Sequence, residues 1–270
     1  MQQNLGFTWH NNEIPEIVPV DGVKRALFRI QKMLPEFVWD ASYLEGNPFT
    51  FPEVKTLMEG ITVGGHKITD HEQVVNLVKS FKRLMTLVRS GQFSLTKEVF
   101  CALQSLVASE EALEWGLFRG EGEEKNYSPD VGLGALGVHK PLPTEDRAPR
   151  LNEVFFQGVE YLTRTAKSEF DLGVKFFLFG ALQQFFFDGN KRTSRLMMNG
   201  VLMSAGMDAI SVPAAKAHEF NEKMVRFYQG RNADEMIDFM IGCHPEADLI
   251  RKSHKMISSG AGKTLDDLSC

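Results

Sequence analysis

Between Gln184 and Arg195 the chain reads Gln-Phe-Phe-Phe-Asp-Gly-Asn-Lys-Arg-Thr-Ser-Arg, the run best equipped to do chemistry. An apolar helical segment leads into Asp188, Gly189 and Asn190, and a second opens with Lys191, Arg192 and Arg195. Backbone N–H groups at a helix start, beside a flexible glycine and two arginines, form an anion site suited to phosphate, because unpaired donors and the helix dipole both favour negative charge. Arg192 and Arg195 are three residues apart, so on a helix they share a face and can grip successive phosphates with planar forks. Asp188, in the same turn, is a hard oxygen donor where a phosphate-bound magnesium would sit. The alternative is a solvated charged turn between two core helices. Scattered charges would favour that alternative, whereas crowding into one turn favours phosphate.

The elements around this turn are predicted to be helical. Val23, Ala26, Leu27, Ile30 and Leu34 recur at helical spacing before Pro35, short helices are expected over 37–46 and 53–59, and Asp70 with Gln73 reads as a capping box opening a long helix through Arg89. Another helix is expected over 96–113, and more over 150–166, 171–187, 191–205, 216–229 and 233–242, with Gly206 at a helix C-cap. The first twenty residues read as an extended arm, and the tail from Glu246 as polar and partly mobile. Between Trp115 and Arg150 glycines and prolines replace helical periodicity, with short strand pieces expected near 117–119 and 136–139. The Phe run 176–177, 179 and 185–187 reads as core packing. Ser259-Gly-Ala-Gly-Lys-Thr264 fails as a P-loop, because Ile257 stands where the first glycine is required and no strand precedes it.

With 270 residues the chain suits one large domain or two modest ones, and its net charge of -5 offers no field for nucleic acid or an anionic membrane. Cys101, Cys243 and Cys270 lack metal spacing; the first two read as core and the last as tail. No signal-peptide pattern and no apolar run of membrane-spanning length occurs, so the expected location is cytoplasmic.

The Gln184–Arg195 run resembles the signature of the Fic family (filamentation induced by cAMP), His-x-Phe-x-Asp/Glu-Gly-Asn-Gly/Lys-Arg-x-x-Arg. Phe186, Asp188, Gly189, Asn190, Lys191, Arg192 and Arg195 fall in register, and Gln184 stands at the position of the family's histidine. The resemblance implies an all-α protein with the Fic fold, a helical bundle with a short β-hairpin flap. It also implies binding of ATP with Mg2+ and transfer of AMP to a hydroxyl of a target protein. Asp188 would hold the metal, while Asn190 and the N–H groups after Gly189 would stabilise charge on the α-phosphate. Arg192 and Arg195 would hold the outer phosphates, Lys191 lying between these nucleotide-binding positions. The base that takes the hydroxyl proton would be at Gln184, whose amide does not titrate; losing a general base costs roughly 10²–10⁴-fold in rate.

The likeness extends beyond the signature. Ser42-Tyr-Leu-Glu-Gly-Asn47 resembles the family's inhibitory motif, which implies that Glu45 pairs with Arg195 and fills the γ-phosphate position; the motif's hydroxyl position is Ala41, with Ser42 beside it. Gly116-Leu-Phe-Arg119 and the stretch to Pro143 resemble the flap that holds an extended target segment. His139 lies there and could stand in for the missing base, although lone loop histidines are usually solvated. Phe220 and Tyr228 fall where the family places aromatics near adenine, with core packing as the alternative. The implied division is 1–92 as an N-terminal helical region, 93–245 as the Fic core and 246–270 as tail. Three functions fit: a nucleotide binder with impaired transfer, an enzyme of transfer or de-AMPylation using another base such as Glu45, or a peptide-binding protein on this scaffold. The target and the oligomeric state stay open, a homo-oligomer included.

Overall fold

A computed structural model describes residues 5–10 and 20–258. Eleven α-helices, two short 3₁₀ helices (Gly134–Leu136 and Ala214–Lys216) and one two-stranded sheet make up the regular elements among them. In chain order they are α1 (Val23–Lys32), α2 (Leu34–Tyr43), α3 (Phe51–Met58), α4 (Ile68–Arg89), α5 (Lys97–Val107), β1 (Val131–Gly132), β2 (Val138–His139), α6 (Pro149–Thr165), α7 (Glu169–Gln183), α8 (Asn190–Ser204), α9 (Ala217–Gly230), α10 (Asp234–Ile241) and α11 (Ala247–Ser258).

The two helices that flank the signature turn form the centre. Phe176 to Leu182 of α7 and Arg192 to Met203 of α8 are buried without interruption, which is why these segments show no polar stripe. Gly180 lets them approach: a Cβ there would lie 2.1 Å from the Ser194 Oγ. Around the end of α7 a phenylalanine cluster forms, with Phe118 stacked on Phe185 at 4.9 Å and Phe100 edge-on to Phe186 at 4.7 Å. Phe176, Phe177, Phe179, Phe185 and Phe186 are core, as expected, whereas Phe187 lies outside that cluster and stacks on Tyr127 at 6.0 Å.

On the other side α8 is covered by α4 and α5, and α2 lies along α4. This stacking brings Glu45, just after α2, over the first turns of α8. Chain segment 5–10 packs across the far end: Thr8 N–H donates to the Arg231 carbonyl at 2.7 Å, Ala233 N–H donates to the Thr8 carbonyl at 2.8 Å, and Leu5, Phe7 and Trp9 are buried.

Several boundaries differ from the sequence reading, each for a local reason. Pro35 opens α2 instead of closing α1, since the first turn of a helix needs no N–H from proline. Asp70 is not the cap of α4; it sits in the first turn and accepts from Lys67 N–H at 3.1 Å, while Gln73 faces Asn47 and Glu111. α5 stops at Val107, and turns occupy 108–113. Residues 117–119 form no strand because Phe118 and Arg119 are drawn into the core; the hairpin pairs Val131 with His139 and Gly132 with Val138. Beyond Glu246 the chain continues as α11, with Ile250 buried. The P-loop-like segment 259–264, Cys270, and Pro15 and Pro19 lie outside the described residues. Among the described residues no helix is long and apolar enough to cross a membrane.

Candidate functional site

Where α7 ends, Gln184 takes a left-handed conformation, φ 51° and ψ 59°, uncommon for a residue with a Cβ. The chain then loops through Asp188, and Gly189, at φ 76°, opens α8. Asn190 closes this loop like a staple: its Oδ1 accepts from Phe186 N–H at 2.9 Å, and its Nδ2 donates to the Phe186 carbonyl at 2.8 Å and to Gln184 Oε1 at 3.0 Å. The Gln184 Nε2 donates to the Ala181 carbonyl at 2.6 Å, so both ends of this amide are engaged. Thr193 Oγ1 donates to the Gly189 carbonyl at 2.8 Å and holds the helix start.

A cavity of about 340 Å³ opens above this turn. Glu45, Gln184, the segment from Phe187 to Arg192, Tyr228 and Pro129–Gly132, which includes β1, form its walls. That volume lies in the range of small-molecule sites. The hairpin therefore borders the cavity, as a flap would.

The site's charges are crowded and paired. Glu45 Oε1 accepts from Arg195 at 3.4 Å and its Oε2 lies 3.6 Å from the Lys191 Nζ. Burial would raise the Glu45 carboxyl, but Lys191, Arg192 and Arg195 outweigh it and hold it at about 2. Arg192, with a side chain only 3% exposed, donates to Glu111 Oε2 at 2.8 Å and faces Asp188 Oδ1 at 3.6 Å. Burial disfavours the Arg192 charge, but Glu45, Glu111 and Asp188 raise its guanidinium above the usual value. Arg195 is shifted down by burial, helped by the neighbouring Arg192 charge. The Asp188 side chain is more than half exposed at the cavity wall. Among the described residues no group of three or more His, Cys, Asp or Glu side chains is arranged to hold a metal.

The structure thus brings together Glu45, Gln184, Asp188, Gly189, Asn190, Lys191, Arg192 and Arg195. It gives other residues different work. The Ser42 hydroxyl donates back to the Trp39 carbonyl at 2.9 Å inside its own helix. His139, expected to be solvated, is buried instead: it stacks on Tyr228 at 5.1 Å, its Nε2 donates to the Leu182 carbonyl at 2.8 Å, and its Nδ1 accepts from Arg231 at 3.0 Å. Both ring nitrogens are occupied, and burial lowers its affinity for a proton, so it does not replace the base. Phe220 packs on Phe177 and lies 5.6 Å from the Arg195 guanidinium, whereas Tyr228 reaches the cavity and donates to the Ala181 carbonyl at 3.0 Å.

Three contributors escaped the sequence reading. Glu111, in the turn after α5, holds Arg192. Gln104 donates to the Asp188 carbonyl at 3.1 Å and accepts from Gly116 N–H at 2.6 Å. Arg119, fully buried, donates to the Gln184 carbonyl at 2.7 Å, to Thr144 Oγ1 at 2.9 Å and to the Leu142 carbonyl, tying the base of the flap to the signature loop. An arginine in an otherwise apolar Gly-Leu-Phe-Arg run was the only local signal for the last.

No family model matches the chain. Among curated proteins it is 24% identical to the protein adenylyltransferase Fic of Aedes aegypti over 204 residues, 74% of this chain and 38% of that protein. It is likewise 24% identical to the Nematostella vectensis protein of that name, over 74% of this chain and 44% of that one. The chain therefore spans less than half the length of these relatives. Among solved structures, a fragment of Fic-1 from C. elegans superposes with a TM-score of 0.66 at 18% identity, covering 87% of this chain and 67% of that one. A Fic domain containing signaling protein from Bacteroides thetaiotaomicron gives 0.66 at 20% identity, covering 88% and 92%. The chain has the Fic fold, and its similarity to the curated Fic adenylyltransferases supports the Fic family.

Proposed function

We propose that this chain is a Fic-type nucleotide-binding protein that takes ATP with Mg2+ in the cavity over the start of α8, and whose AMP transfer is impaired. The observation that carries the first part is the alignment of Lys191 and Arg192 with the opening turn of α8 on one cavity wall, with Arg195 behind it, paired to Glu45 of the same wall. A triphosphate would meet helix N–H groups and guanidinium forks together. Asp188 fits a magnesium partner: the ion takes one or two carboxylates and completes its shell with phosphate oxygens and water, so a single exposed carboxylate suffices. When bound, the ion would neutralise phosphate charge. Glu45 would act as the inhibitory glutamate, since it occupies Arg195 and Lys191 at the outer end of the site.

Impairment follows from Gln184. A general base must accept a proton near neutral pH, and an amide cannot. Glu45 is a poor replacement while three cations hold its carboxyl at about 2. A target hydroxyl would arrive on an extended segment beside β1 and β2, where strand addition supplies backbone hydrogen bonds.

Calorimetric titration with ATP and magnesium tests the binding. Glu45→Gly should tighten it, and Arg192→Ala, introduced into a chain that carries both Glu45→Gly and Glu111→Gln, should weaken it by about 1.5–3 kcal/mol, the size of a charge-assisted hydrogen bond. A chain carrying both Glu45→Gly and Glu111→Gln that shows no saturable binding at millimolar ATP would end this reading.

A further inference from the structure

We propose that Glu111 is a second blocking carboxylate, which competes with phosphate for Arg192 as Glu45 does for Arg195. The inference rests on the nucleotide-binding reading and concerns which residues regulate that site.

Glu111 is built into position. Its Oε2 accepts hydrogen bonds from Arg192 NH1 at 2.8 Å and from Gln73 Nε2 at 3.1 Å. Gln73, on α4, accepts in turn from Asn47 Nδ2 at 2.9 Å, and Asn47 is two residues beyond Glu45. The turn carrying Glu111 is fastened to α4 by Asn76, whose Nδ2 donates to the Ser109 carbonyl at 2.9 Å, and Glu110 beside it is held at φ 63°. One hydrogen-bonded chain thus runs from the Glu45 loop through Gln73 to Glu111 and Arg192.

Charge gives the arrangement its effect. Lys191, Arg192 and Arg195 are opposed by Glu45, Glu111 and Asp188, so the site is formally neutral as it stands. A phosphate reaching Arg192 must displace a buried charge-assisted hydrogen bond before making its own, and the exchange yields little net attraction. Removing Glu45 alone frees Arg195 and leaves Arg192 engaged. Because Asn47 orients the Gln73 amide that donates to Glu111, loosening the Glu45 loop also frees Glu111's hydrogen-bond partner.

The experiment compares ATP and AMP binding, with magnesium, to Glu45→Gly, Glu111→Gln and the double variant. Glutamine preserves shape and an acceptor for Gln73 while removing the charge. Relative to Glu45→Gly, the double variant should bind ATP at least tenfold more tightly. AMP affinity should move less than threefold, since AMP lacks the outer phosphates. Glu111→Asp, which keeps the charge on a shorter arm, should fall between and serves if the glutamine variant does not fold. ATP binding that is equal in the single and double variants, or lower in the double, would overturn the role of Glu111 and leave the nucleotide reading intact. A parallel gain for AMP would overturn it too, because the acid would then not be acting on the outer phosphates. ATP binding absent from every variant would instead remove the nucleotide reading itself.

Discussion

At Gln184 the left-handed backbone and the candidate chemistry meet in one residue. A φ of 51° costs most L-residues about 1 kcal/mol, and histidine is among the side chains that visit this region more readily. The Gln184 Nε2 already donates to the Ala181 carbonyl, a role an imidazole Nδ1–H can assume while its other nitrogen keeps a free lone pair. Gln184→His in the Glu45→Gly background is therefore expected to raise self-modification from α-labelled ATP by about 10²–10⁴-fold. Equal labelling with and without the histidine would show that no base is missing here. Gln184 and the seven signature residues were legible in the sequence because they lie within twelve positions of one another. Glu111 was not, since its partner Arg192 is 81 residues away and only the docking of the α5 turn on α8 unites them. Arg119 read as flap for the same reason: nothing nearby announces that its guanidinium turns inward to the Gln184 carbonyl.

Helix packing decides whether these residues stay in register. The α7–α8 contact rests on Gly180, where even a methyl group collides with the Ser194 Oγ. Gly180→Ala would add helix propensity of roughly 1 kcal/mol but force the helices apart, at an overpacking cost of about 1–3 kcal/mol. A net loss of stability of up to about 2 kcal/mol is expected, with recovery when Ser194→Gly is added. Urea denaturation of the single and double variants measures both, and a single variant more stable than the parent would contradict the packing argument. Helix existence was readable from periodicity along most of the chain, as in α4 and α6. The ends were less readable because they depend on the partner at each end. Pro35 could close one helix or open another, and only the joint between α1 and α2 decides. Asp70 had the chemistry of a cap but serves one turn inside, reaching back to Lys67 N–H.

At the scale of the whole molecule, the α10–α11 joint couples stability to pH. His244 is 3% exposed, its Nδ1 accepts from Glu246 N–H at 3.0 Å, and burial with the nearby Arg29 charge pushes its pKa down to about 4. The unfolded chain binds a proton there near the ordinary 6.5, so between pH 6.5 and 4 the unfolded state holds more protons and stability falls as pH falls. The loss approaches about 3 kcal/mol at the acid end and is absent above pH 7. His244→Phe should flatten the pH dependence of urea stability over this window, and an unchanged slope would exclude His244 as its source. Salt, finally, would act unequally on the charges around the cavity. The Lys191–Glu45 pair, with side chains 30% and 18% exposed, lies within reach of dissolved ions that screen charge over about 8 Å at physiological strength. Arg119 is 0% exposed and, though burial lowers its guanidinium to about 10, stays charged at neutral pH; its hydrogen-bond partners are two carbonyls and a hydroxyl, all neutral. Its charge stands one residue behind the cavity wall, at the Gln184 carbonyl, where mobile counter-ions do not penetrate. If the cavity takes an anion as proposed, the attraction that Arg119 adds should therefore weaken less with ionic strength than that of the more exposed Lys191.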